Sequence, residues 1–116
     1  MRTWQHKDAV RYKTLLERNG YPTKIFGSLK NPKGKSEHDI DLEVLCKGCD
    51  DLVDDDLLGC IEKCEKDISR ILKCKSREEL VVLDLGGSNP VGFTCHAKDA
   101  IIDVFTFVER KEFEGR

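Results

Sequence analysis

The chain has no apolar run approaching the roughly 20 residues that a helix needs to cross a bilayer, so no membrane-spanning helix is expected in its 116 residues. Its first residues, Met1 to His6, lack the apolar stretch of a secretory leader. It also lacks a surplus of charge of either sign. Twenty basic residues against 22 acidic ones leave a net charge of −2, which argues against a broad, charge-driven grip on nucleic acid. There is no internal repeat and no low-complexity segment, which sets aside repeat arrays and disordered linkers. The composition is that of a globular chain, long enough for one core and too short for two. The expectation is a single domain over residues 1–116, cytoplasmic and with no membrane partner.

Cysteine is the residue in excess. Six of them, Cys46, Cys49, Cys60, Cys64, Cys74 and Cys95, are many for this length. An even count suits disulfides, but an intracellular chain keeps its thiols reduced. Cys46 and Cys49 have the spacing of half a zinc site, yet no second pair with that spacing exists. A metal site of Cys46 and Cys49 with Cys95 or His96 is conceivable. The favoured expectation is free thiols, several of them small core residues.

Residues 4–19 predict a helix, with Thr3 as N-cap, an apolar face of Trp4, Val10, Leu15 and Leu16, and a stop at Asn19-Gly20 before Pro22. A short strand follows over 24–27, then a loop over 29–37 rich in Lys, Gly, Pro and Ser. The clearest strand is 38–46. Ile40, Leu42 and Val44 share one face, while Asp39, Asp41 and Glu43 share the other, so that the two aspartates stand about 6–7 Å apart. A long helix is predicted over 51–74, its buried stripe formed by Leu57, Ile61, Cys64, Ile68 and Ile71. The aspartates at its start and the bases Lys73, Lys75 and Arg77 at its end suit the helix dipole. Strands are expected over 79–85, 91–96 and 100–108, with a turn over 86–90 and a polar tail over 109–116 that frays. The result is an α+β fold, a mixed sheet with helices packed on it.

Within this frame one combination of residues points to chemistry. Gly27-Ser28 ends the short strand, and glycine there lets the backbone approach a phosphate while the following amides and the hydroxyl donate hydrogen bonds. Lys24, Lys30, Lys33 and Lys35 surround it. Asp39 and Asp41 follow on one strand face. Asp103 interrupts the apolar run 100–108, sharing a face with Ile101, Phe105 and Phe107, where a carboxylate is costly without compensation. Carboxylates are the preferred ligands of hard divalent cations, and such ions neutralise phosphates during phosphoryl-type transfer. Asp84 is a rival third carboxylate, judged more exposed. His38 reads as an ordinary strand-start residue, and Glu43 as facing water.

Phe26-Gly27-Ser28, then Asp39-Ile40-Asp41-Leu42, then a distant Ile102-Asp103-Val104 resembles the nucleotidyltransferase fold of the DNA polymerase beta superfamily, above all its minimal members. The likeness spans roughly residues 22–108. It implies an enzyme that moves a nucleoside monophosphate from a nucleoside triphosphate to an acceptor hydroxyl and releases pyrophosphate. By the same resemblance Asp39, Asp41 and Asp103 are the catalytic, metal-binding carboxylates for Mg2+ (or Mn2+). Gly27, Ser28, Lys30 and Lys35 form the nucleotide-binding side. Two departures stand out. Many small members continue the Gly-Ser turn with arginine and a further glycine, whereas here Pro32 is expected to cut the turn short. Larger members carry a helical C-terminal domain, whereas eight residues follow Val108 here. The acceptor surface is therefore expected from a protein partner or a second copy. The alternative is a non-catalytic nucleotide- or partner-binding module of the same fold, such as the antitoxin-like partner of a helical toxin.

Overall fold

A computed structural model describes residues 3–80 and 91–115 of the chain. Trp4–Gln5 (β1) leads into the helix His6–Arg18 (α1), the strand Thr23–Phe26 (β2) and a 3-10 turn over Gly27–Lys30. Lys35–Ser36 (β3) pairs antiparallel with β1 as a separate two-residue ribbon. Then come Ile40–Leu45 (β4), Asp54–Leu72 (α2), Cys74–Leu80 (β5), Val91–Ala97 (β6), Ile101–Phe107 (β7) and a last short helix, Arg110–Glu114 (α3).

The five longer strands form one sheet in the order β2-β4-β7-β6-β5. β4 and β7 run parallel; every other neighbouring pair is antiparallel. The expected mixed sheet with packed helices is thus what forms. α1 and α2 touch each other and cover one sheet face. There Ile40, Leu42, Val44, Ile102 and Val104 are buried with Leu16 and Ile68. Side chains alternate along a strand, so the odd-numbered residues of β4 and β7 point the other way. At the far end of that second face α3 lays Phe113 against Leu45 and Phe107.

Several boundaries move for identifiable reasons. α1 begins at His6, because the Gln5 backbone N–H donates to the Asp8 side chain (2.8 Å) in a capping box, leaving Trp4 in β1. Its buried face is Ala9, Tyr12 and Leu16, while Val10 and Leu15 are exposed. α2 starts at Asp54 and ends before Lys73, whose left-handed backbone (φ 58°) turns the chain into β5. β5 therefore opens at Cys74, five residues before its expected start, and residues 81–90 of the expected strand and turn lie outside the described residues. The tail does not fray up to Glu114: Phe113 is buried, its carbonyl accepts from Lys24 Nζ (2.6 Å), and the same ammonium stands 4.8 Å from the ring centre.

The cysteines overturn the expectation of free thiols. Cys46 pairs with Cys64, Cys49 with Cys60, and Cys74 with Cys95. Cys46 and Cys49 leave β4 three residues apart, and Cys60 and Cys64 sit one turn apart on α2, so two bridges pin the exit of β4 to that helix. The third ties β5 to β6. With all six engaged, the zinc site imagined from Cys46, Cys49 and Cys95 has no thiolate to offer. Among the described residues no helix is long and apolar enough to cross a membrane.

A candidate acidic site at one end of the sheet

Parallel pairing is what assembles the site. β4 and β7 start at the same end of the sheet, and Asp41 stands directly opposite Asp103 in their register. Asp39 lies just ahead of β4. One carboxylate oxygen from each of the three falls within 4.8 Å of the others, and all three residues are half-buried. The structure therefore brings together Asp39, Asp41 and Asp103, the three carboxylates singled out in the sequence. The face that carries Asp103 is more open than its apolar company suggests: Ile101 is exposed and Phe105 half-buried. Asp103 is held by Thr94 on β6, opposite it in register, whose hydroxyl donates to Asp103 Oδ1 (2.6 Å).

Three carboxylates this close cannot all ionise freely. A hydrogen bond with Asp103 holds the proton of Asp39, and with burial and the neighbouring charges it pushes that carboxyl from 3.8 up to about 7. Asp41 is raised to about 6, chiefly by burial and then by the charge of Asp103. The cluster is thus set to hold a proton or a cation near neutral pH. As an all-oxygen donor set it fits a hard divalent ion.

The turn beside it is built around glycine. Gly27 adopts φ +74°, and a Cβ there would lie 2.8 Å from Asp41 Oδ2. Both the backbone conformation and the carboxylate exclude a side chain. Leu29 is buried and anchors the 3-10 turn, and its carbonyl accepts from His6 Nδ1 on α1 (2.6 Å). The turn stops at Asn31, which is extended (φ −78°, ψ 128°), as the residue before Pro32 prefers. The loop then folds back so closely that a Cβ on Gly34 would meet the Ser28 carbonyl at 1.9 Å.

Of the residues expected on the phosphate side, Gly27 lies against Asp41 and Ser28 follows it, exposed. Lys30 closes the turn and lines a concavity of about 590 Å³ along the β2 edge. Lys35 sits apart on β3, paired with Gln5. The neighbouring Ser36 hydroxyl donates to the Asp39 carbonyl (2.8 Å), which shapes the approach to β4. His38 is exposed in that approach. Asp84 lies outside the described residues.

Glu43 was expected to face water and instead is buried, 5% exposed. It sits between Lys24 and Phe105 in register. The Phe26 ring reaches over β4 to meet Phe105 edge-to-face at 5.5 Å. His6, Thr94 and Phe26 were not foreseen as parts of the site. Only Phe26 had a signal, its place immediately before Gly27.

No protein-family model matches the chain, and no curated protein matches it.

Proposed function

We propose that the protein is a metal-dependent nucleotidyltransferase with the polymerase beta type of fold. The observation that supports this reading best is the cluster of Asp39, Asp41 and Asp103 on parallel neighbouring strands, with Gly27 packed against Asp41. Such an arrangement places a phosphate-binding turn beside a hard-cation donor set, which transfer between phosphates and hydroxyls requires.

In this reading Asp39, Asp41 and Asp103 hold Mg2+ or Mn2+. A divalent cation bound there supplies charge neutralisation for the triphosphate and acidifies the acceptor hydroxyl. The amides after Gly27 and the Ser28 hydroxyl bind the outgoing phosphates, and Lys30 adds charge. Thr94 holds Asp103 through Oδ1 and so orients the carboxylate that takes the proton of the acceptor hydroxyl. The acceptor oxygen bonds to the α-phosphorus, the bond from that phosphorus to the bridging oxygen breaks, and pyrophosphate leaves with the electron pair. The acceptor surface comes from a protein partner or a second copy.

The test is pyrophosphate release from each nucleoside triphosphate with Mg2+ or Mn2+ and a panel of protein, small-molecule and nucleic-acid acceptors. The Asp39→Ala, Asp41→Ala double variant serves as control. Release that depends on the two aspartates supports transfer. Equal rates in both proteins overturn it. Nucleotide binding without release by the native chain identifies the non-catalytic module instead.

A further inference from the structure

The concavity beside the phosphate turn has an aromatic wall, Phe26, that the proposed chemistry leaves unused. Its volume of about 590 Å³ falls within the range of small-molecule sites, about 300–1,000 Å³. One wall is Phe26 with Ile25; Lys30 of the turn, His6 and Lys13 of α1, and Lys24 beside the Glu43 carboxylate supply its polar and charged groups. Phe26 is 40% exposed, an unusual position for a large aromatic in a chain with so few. It is not adrift: the contact with Phe105 fixes its ring, and its register partner is Asp41. An oriented, part-open aromatic ring one residue before the phosphate turn, in a cavity edged by cations, matches a ligand with a flat π face at one end and phosphates at the other.

We infer that this concavity receives the nucleoside half of the substrate, with the nucleobase stacked on Phe26. The inference rests on the nucleotidyltransferase reading and names where the base goes. Stacking on an aromatic is tolerant of base identity, because every base has a π face. The site is therefore expected to discriminate weakly among the four nucleoside triphosphates. The carbon skeleton of Phe26 contributes nothing to a bare polyphosphate, which separates its role from that of the turn.

The experiment titrates the Mn2+-loaded full chain with ATP, CTP, GTP and UTP and with inorganic tripolyphosphate, by calorimetry. The native protein is expected to bind each nucleotide more tightly than tripolyphosphate. Phe26→Ala weakens the nucleotides about tenfold or more, leaves tripolyphosphate within about twofold, and Phe26→Trp restores nucleotide affinity. Should Phe26→Ala fold poorly, Phe26→Leu keeps an apolar contact with Phe105 without the π face and is expected to show the same selective loss. Nucleotides and tripolyphosphate weakening together, or neither weakening, would overturn the stacking assignment alone. Absence of binding by both ligand types to the native Mn2+-loaded protein would overturn the nucleotidyltransferase reading and this inference with it.

Discussion

Removing one carboxylate from the cluster is expected to stabilise the metal-free protein. The perturbation is Asp41→Asn, which keeps the shape of the side chain and abolishes its charge. In the folded chain Asp41 is raised from 3.8 to about 6, and Asp39 to about 7. A carboxyl whose folded value lies above its unfolded value contributes stability that is complete below the unfolded value. That contribution is lost as pH rises through the folded one. The window here runs from about pH 4 to about pH 7. The rise of Asp41 alone corresponds to about 3 kcal/mol. The side chain is only half-buried, so solvent screening reduces this to about 1–2 kcal/mol. Asp39 leans on the same Asp103 and adds little that is independent. In a domain of this size about 1–2 kcal/mol moves the melting temperature by roughly 4–10 °C. The assay is thermal unfolding by circular dichroism from pH 4 to 8.5 in a chelator, native against Asp41→Asn. The variant should match the native protein at the acid end, exceed it increasingly from about pH 4 to about pH 7, and keep a constant margin above that. Millimolar Mg2+ or Mn2+ should raise the native protein and not the variant. A variant less stable than the native chain at pH 8 in chelator would refute the electrostatic argument.

Other outcomes follow from single contacts. Gly27→Ala forces a side chain onto a left-handed backbone beside Asp41, which costs about 1–2 kcal/mol and should abolish pyrophosphate release while circular dichroism stays native. Thr94→Val removes the hydroxyl that holds Asp103. It should lower metal affinity or turnover about 10-fold or more with little change in melting temperature. The intact chain purified without reductant should resist alkylation and weigh six hydrogens less than its reduced form, since all six cysteines are paired. The bridges span separations of 18, 11 and 21 residues, so reduction should cost about 3 kcal/mol per bridge in the chain-entropy account. A melting temperature unmoved by reductant would show that they do not carry stability.

The elements legible in the sequence are those whose pattern is enforced by burial. β4 alternates because one face is core, and α2 carries a stripe because one side is core. Asp41 was legible beside Asp39 on one face of an alternating strand, and Asp103 because it interrupts an apolar run. Their exact opposition was not, since register depends on a parallel pairing that no local signal encodes. β5 was misplaced because it is an edge strand, and Lys75, Arg77, Glu78 and Glu79 are exposed charges that protect an edge and erase alternation. α3 was missed because a single residue, Phe113, fixes it. The disulfides were missed because the chain was read as intracellular, where thiols stay reduced, and because pairing depends on which elements meet, which spacing alone leaves open. Glu43 was misread because strand alternation assigns a face without revealing what flanks it, here Lys24 on β2 and Phe105 on β7.

The most direct measurement of the carboxylate site is Mn2+ binding followed by the electron paramagnetic resonance signal of the free ion, at pH 8 with no nucleotide or other chelator present. The native protein is expected to remove Mn2+ from solution with saturable stoichiometry. The Asp39→Ala, Asp41→Ala variant, folded by circular dichroism, is expected to leave it free. Equal uptake by both proteins, or none by the native chain, would contradict a metal site built from Asp39, Asp41 and Asp103.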